Sequence, residues 1–203
     1  MSRLRIAVSQ RRDAIPGRDE VRDGLDVRLA ELLWELGFLP LPIPSGVSEP
    51  AKYLAMLAPH GVLLSGGNDI GSASMRDAIE SAALDHATDR GLPVFGICRG
   101  LQMMNHYQGG GLRPLAGHTA VRHWVTGPLV GPEGREVNSF HDYGLLPDDL
   151  GRDLEALAFA GDGTIEALRH SVRPWLAILW HPERDDPVAV PDRKLISDHF
   201  SEA

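Results

Sequence analysis

The chain has one cysteine, Cys98, in the run Phe95-Gly96-Ile97-Cys98-Arg99-Gly100-Leu101-Gln102. Apolar residues and a glycine lead into it, and a glycine and a helix-like stretch follow. This is the pattern of a nucleophile elbow, a strand that turns sharply into a helix with one reactive side chain at the bend. A thiol there sits at a helix N-terminus, where unpaired N–H groups and the positive end of the helix dipole favour its thiolate. Gly96 and Gly100 relieve crowding at such a turn. Far downstream, Trp180-His181-Pro182-Glu183 closes an apolar strand. If the chain stays extended, His181 and Glu183 point to one side. Glu183 then accepts a hydrogen bond from one ring nitrogen while the other faces Cys98, the orienting logic of a catalytic triad. Pro182 has no N–H for a ladder and belongs at a strand end. A third motif, Ser65-Gly66-Gly67-Asn68-Asp69, follows another strand. Backbone N–H groups at Gly67 or Asn68, with that of Arg99, are the expected oxyanion hole. No Gly-Lys-Ser/Thr follows, so the loop is not a P-loop.

These residues need strands to carry them to one edge. Leu4–Val8, Phe38–Pro42, Gly61–Ser65 and Pro93–Ile97 read as strands. Leu25, Leu29, Leu32, Leu33 and Leu36 follow a helical period within a helix expected over Asp19–Leu36, ending at Gly37. Further helices are expected over Arg76–Arg90, stopped by Gly91, and over Gly100–Gln108. Alternating strands and helices imply a mostly parallel sheet covered on both faces. From Leu112 the pattern shifts to strands over Ala120–Val125, Arg135–Val137, Leu154–Ala160, Thr164–Leu168 and Trp175–Trp180, with a hairpin at Asp162-Gly163 and a closing helix over Asp192–Phe200. The expectation is one α/β domain over residues 1–203, its second half strand-rich and finishing the same sheet.

Composition narrows the chemistry. The 203 residues carry 43% hydrophobic and 24% charged side chains, which suits a globular chain with a full core. A formal net charge of −8 argues against broad binding to nucleic acid or a membrane surface. The basic start at Met1–Gln10 lacks the apolar stretch of a signal peptide, and no apolar run reaches the ~20 residues of a membrane helix. A lone free thiol fits a reducing, cytoplasmic setting. His106, His118, His123 and His141 raise the question of a metal. With no i,i+4 histidine pair on a helix and no cysteine ligands, neither metal nor cofactor is expected, and His118 and His141 are assigned to the cleft wall or to local polar groups.

Taken together, Gly-Ile-Cys-Arg-Gly-Leu-Gln, Ser-Gly-Gly-Asn-Asp and His-Pro-Glu resemble the class I glutamine amidotransferase superfamily. Arg76-Asp77-Ala78-Ile79-Glu80, Val137-Asn138-Ser139-Phe140-His141 and Asp162-Gly163-Thr164-Ile165-Glu166-Ala167 resemble motifs of its γ-glutamyl-γ-aminobutyrate hydrolase-like branch, and the likeness runs from about residue 4 to residue 200. The resemblance implies a three-layer, flavodoxin-like α/β fold. It implies Cys98 as nucleophile, His181 as base and acid and Glu183 as its orienter, with Gln102, Ser139, Phe140 and His141 around a small γ-glutamyl substrate. Only Ile70–Met75 separates the glycine loop from the Arg76 helix, where that branch carries a longer segment. A shortened rim leaves the cleft open to a bulky leaving group. The compact form also resembles the γ-glutamyl-CDP-amidate hydrolases of surface-polysaccharide pathways, for which Arg11, Arg12, Arg99, Arg113, Arg122 and Arg184 are candidate diphosphate contacts. The implied reaction is hydrolysis of a γ-glutamyl amide through a thioester. Its alternatives are a γ-glutamyl-γ-aminobutyrate-type hydrolase of polyamine catabolism, a glutaminase subunit passing ammonia to a synthase, and a catalytically dead binding protein. Assembly into a homo-oligomer is left open.

Overall fold

The computed structural model describes residues 3–201. β1 (Arg5–Val8) is followed by an antiparallel hairpin of β2 (Arg11–Ala14) and β3 (Val21–Gly24). Then come α1 (Val27–Glu35), β4 (Leu39–Pro42), α2 (Pro50–Leu57), β5 (Gly61–Leu64), α3 (Ser74–Arg90), β6 (Val94–Ile97) and α4 (Arg99–Tyr107). The second half holds β7 (Arg113–Pro114), β8 (Thr119–Gly127), β9 (Gly131–Phe140), β10 (Tyr143–Gly144), β11 (Leu154–Ala160), β12 (Ile165–His170), β13 (Trp175–Ile178) and α5 (Val190–Ser201).

Nine strands make one sheet in the order β4-β1-β5-β6-β13-β12-β11-β8-β9. The run from β4 to β13 is parallel, and β12, β11, β8 and β9 extend it antiparallel. The α/β reading with a strand-rich second half therefore holds, and both halves of the chain supply the same sheet. Strands β5 and β6 are buried along their whole length, as expected for central strands covered on both faces. One face packs Leu54 of α2, Ile79, Ala83 and Leu84 of α3 and Leu101 and Met104 of α4. The other packs Leu29, Leu32 and Leu33 of α1 with Ile196 and Phe200 of α5. Each such large apolar side chain contributes about 1.5–3 kcal/mol by leaving water. Among the described residues no helix is long and apolar enough to cross a membrane.

The helix expected over Asp19–Leu36 is shorter. Its first third is β3, and α1 starts only after Asp26, whose carboxylate accepts from the Arg28 N–H as an N-cap. Helix α3 ends where Gly91 takes φ +65, the left-handed C-terminal stop that glycine allows.

Candidate active site

Strand β6 ends at Ile97 and α4 begins at Arg99. Cys98 makes the bend between them at φ +52, ψ −104. A side chain held there costs about 1–3 kcal/mol, so the surroundings must enforce it. Its N–H donates to the Ile178 carbonyl of β13 at 2.8 Å, and its carbonyl accepts from Leu101 and Gln102 of α4. The two flanking glycines are steric necessities. A methyl at Gly100 would lie 2.2 Å from the Leu64 carbonyl oxygen, and one at Gly96 would lie 2.7 Å from the Gly100 carbonyl carbon. As the first residue of α4, Arg99 has a backbone N–H with no acceptor inside the helix, available to a developing anion beside the sulfur.

Strand β13 lies beside β6 in parallel, with Ile178 opposite Ile97. The chain leaving β13 therefore passes the elbow, and it carries His181. The ring is almost wholly buried. Its Nδ1–H donates to Glu183 Oε1 at 2.7 Å, and Cys98 lies near enough to favour the protonated ring. Burial alone would lower the affinity of the ring for a proton. The contacts with Cys98 and Glu183 outweigh it and raise the pKa from 6.5 to about 9. The chain here is not extended, as expected from the sequence, but a 3-10 turn over Pro182–Arg184. The turn folds Glu183 back onto the ring, so the pairing comes from tight curvature and not from strand alternation. Asn138 of β9, part of the Val137–His141 motif but given no role by it, holds the backbone of His181 on both sides. Its Oδ1 accepts from the His181 N–H and its Nδ2 donates to the His181 carbonyl, each at 2.8 Å.

The glycine loop after β5 closes over the same ring. A methyl at Gly66 would stand 2.6 Å from His181 Cε1, and Gly67 has φ +104. Buried Arg76 grips the loop: its Nη2 donates to the carbonyls of Ser65 (2.7 Å) and Gly66 (3.0 Å). Its Nε donates to Glu80 at 2.9 Å, Glu80 also pairs with Arg99, and Arg99 pairs with Asp77. This buried charge chain ties the glycine loop to the first residue of α4, so both expected walls of the oxyanion hole are anchored to one helix, α3. Asn68 adds a link to the β2–β3 hairpin. Its Oδ1 accepts from the Arg12 N–H and its Nδ2 donates to the Arg12 carbonyl.

A bend with a buried thiol, an imidazole just beyond the adjoining parallel strand and a glycine loop opposite form one arrangement. The model of the class-I glutamine amidotransferases aligns with residues 27–195. The chain belongs to the class I glutamine amidotransferase family. Among its relatives is the γ-glutamyl-CDP-amidate hydrolase of Campylobacter jejuni, 34% identical over 155 residues, or 73% of each chain. Two crystal structures share the fold. A candidate GMP synthase component from Thermoplasma acidophilum has a TM-score of 0.75 at 20% identity, over 98% of this chain and 92% of the other. A glutamine amidotransferase from Thermotoga maritima has a TM-score of 0.66 at 12% identity, over 98% and 84%.

On this family fold the expected substrate contacts divide. Gln102 lies in the wall of a cavity of about 370 Å³ with Asp69, Ile70 and Tyr143, and its Nε2 donates to the Tyr143 carbonyl at 2.8 Å. Phe140 is partly exposed and meets His181 edge-on, ring centroids 5.8 Å apart. Ser139 is fully buried and donates its hydroxyl to the His118 carbonyl. His141 is buried too, its ring nitrogens facing the Tyr143 carbonyl and Glu166, so it backs the wall instead of facing Cys98. A second cavity, of about 260 Å³, opens beside His181, Gly66 and Gly67 and is lined by Arg11 and Arg184. Arg184 stacks over Phe140 at 4.4 Å, and its buried Nε has no hydrogen-bond partner. Of the six arginines marked for a diphosphate, these two line that cavity, together with Asp13, Asp26 and Glu183, and Arg11 is paired with Asp13. Arg12 is engaged by Ser45, Arg113 by Asp149, Arg122 by Glu136 and Asp185, and Arg99 by Asp77 and Glu80.

Proposed function

We propose that this chain is a cysteine-dependent hydrolase that cleaves a γ-glutamyl amide through a γ-glutamyl thioester. The observation that supports the reading is the His181–Glu183 pair, carried by the chain that leaves β13 beside the Cys98 elbow. In the proposed reaction Cys98 passes its proton to His181, and its sulfur attacks the γ-carbonyl carbon. The oxyanion accepts hydrogen bonds from the Arg99 N–H and an N–H at Gly67 or Asn68. The tetrahedral adduct collapses as His181 gives its proton to the departing nitrogen. Water, deprotonated by His181, then attacks the thioester carbon, and sulfur leaves as glutamate is released. Glu183 keeps the ring in one tautomer and stabilises its cationic form.

The leaving group we favour is an anionic phosphoramidate of the CDP-amidate type, released in the cytoplasm for surface-polysaccharide synthesis. Two things support it: the Arg11 and Arg184 cavity beside the imidazole, and the 34% identical relative named as a γ-glutamyl-CDP-amidate hydrolase. The test is mass spectrometry of products from a panel of γ-glutamyl-CDP-amidate, γ-glutamyl-γ-aminobutyrate and glutamine. Expected is glutamate release from the CDP-amidate conjugate with the highest kcat/KM, abolished by Cys98→Ala. Hydrolysis of glutamine alone, and only with a synthase present, would turn the reading to an ammonia-delivering partner of that synthase. Wild-type activity in the Cys98→Ala protein would remove the thiol mechanism altogether.

A further inference from the structure

Behind the Ser139–His141 wall, three histidines converge on one buried carboxylate. His118 Nδ1 lies 3.6 Å, His123 Nε2 3.2 Å and His141 Nε2 3.5 Å from Glu166 Oε1. His118, His141 and Glu166 are at least nine-tenths buried. All three facing nitrogens, and both oxygens of Glu166, lack a hydrogen-bond partner. A carboxylate and imidazoles left so in a dry interior are costly unless something fills the space between them.

The outer contacts of two rings say what that filler must be. His118 Nε2 lies 2.8 Å from Asp162 Oδ2, and His141 Nδ1 lies 3.1 Å from the Tyr143 carbonyl. A carboxylate and a carbonyl only accept, so these nitrogens carry the ring protons. When neutral, the rings of His118 and His141 present lone pairs to Glu166, acceptor against acceptor. Such a meeting needs positive charge between the groups, from a second ring proton or from a bound cation. Ligand atoms about 2.0–2.1 Å from a tetrahedral zinc ion stand about 3.3 Å from one another, close to the distance of each of the three rings from Glu166 Oε1. A backbone carbonyl or carboxylate taking the outer ring proton is also the usual second contact of a metal-bound histidine.

The geometry points to a structural site for one divalent first-row transition ion, zinc above all, held by His118 Nδ1, His141 Nε2 and Glu166, whose facing atoms all lie within 4.8 Å of one another, with His123 Nε2, 3.2 Å from Glu166 Oε1, joining as the fourth ligand after a small shift. Three imidazoles and a carboxylate form a closed set of four, with no position kept for substrate, so the ion fastens and does not catalyse. It would join the residue before β8, a residue within β8, the bend after β9 and β12. That bend carries Phe140, against His181, and Tyr143, whose carbonyl receives Gln102. Helical spacing, the sequence signal by which histidine pairs declare a metal site, is absent from this set. These ligands meet only through the strand order β12-β11-β8-β9.

The test uses the full chain, stripped with a chelator and titrated with Zn²⁺ alone in competition with a colorimetric chelator, its metal content then measured by mass spectrometry. Expected is one ion per chain with a dissociation constant below micromolar, and tetrahedral cobalt bands on Co²⁺ substitution. Cys98→Ala should keep both, since the thiol is no ligand. His123→Ala should weaken binding at least 100-fold, and Asp162→Asn, which alters the outer contact of His118 while keeping an oxygen for the Thr164 N–H, by about 10- to 100-fold. None of these readouts depends on turnover, so they stand or fall apart from the proposed reaction. The inference is overturned if wild type holds no Zn²⁺ at micromolar concentrations, or if the cobalt spectrum shows a thiolate band that Cys98→Ala removes. In the first case the cluster is held by extra protons on its rings. The wild-type titration decides this even if a variant fails to fold.

Discussion

Gly66 offers a direct test of whether the imidazole must stand where it does. The backbone at Gly66 is free of the left-handed region, so alanine adds only a methyl group. That methyl would sit 2.6 Å from His181 Cε1, where ordinary contact begins near 3.4 Å. Relief requires a shift of about 1 Å. The ring is the part able to yield, because the loop backbone is clamped by Arg76 at the Ser65 and Gly66 carbonyls. A displacement of about 1 Å in a catalytic group costs about 100-fold in rate, equivalent to about 2.7 kcal/mol of lost transition-state stabilisation. Expected for Gly66→Ala is therefore a kcat about two decades below wild type on a chromogenic γ-glutamyl anilide, with KM changed less than threefold and the thermal midpoint within a few degrees. Gly46→Ala, whose methyl meets nothing within 4 Å, is the control and should match wild type in all three. A Gly66→Ala enzyme within threefold of wild-type kcat would refute the argument, because the ring would then be either movable without cost or not the proton carrier.

Other expectations follow from the same contacts. Glu183→Gln should lower kcat by about 10²–10⁴. It should also bring the His181 pKa down from about 9, read as a shift of the imidazole C2-proton titration toward lower pH by NMR. Glu80→Gln leaves Arg76 and Arg99 buried with less compensating charge, and should cost about 3–5 kcal/mol in urea denaturation. His199 is held near pKa 4 by burial, against which its bond to the Val94 carbonyl acts only weakly. Its folded pKa lies below the unfolded value, so stability should be full above pH 6.5 and fall as pH drops from 6.5 through 4, by about 2–3 kcal/mol. His199→Gln should flatten that segment of the curve of urea midpoint against pH.

The elbow is legible because its signals are local: apolar strand residues, glycines at fixed offsets and a polar helix start. Gly96 and Gly100 turn out to touch backbone that no larger residue could approach. The β2–β3 hairpin is not legible. Arg11–Ala14 and Val21–Gly24 are polar and half exposed, without the alternation that marks a strand, and Leu25 and Leu29 extend the helical period of α1 across its cap. Helix α2, a short segment led in by Pro50, has too few turns to display a period. The His181–Glu183 pairing follows from the sequence even though the extended shape expected there is wrong, since a two-residue offset meets in a tight turn as well as on a strand face. Asn138 and His141 stand in a legible motif, but the clasp on His181 and the histidine cluster around Glu166 depend on cross-strand register, which one sequence does not display.

Cys98 and His181 follow the ends of neighbouring strands, yet most of the chain between them, beyond α4, is a detour. The route leaves the β6 edge, builds the far wing of the sheet and returns one hydrogen bond away, Cys98 N–H to Ile178 carbonyl. The detour could be trimmed, lengthened or exchanged while sulfur and ring keep their spacing, provided Asn138 or a substitute still clasps the returning strand. A scaffold so arranged lets the wing be remodelled for new cargo without disturbing the two atoms that would start the proposed reaction.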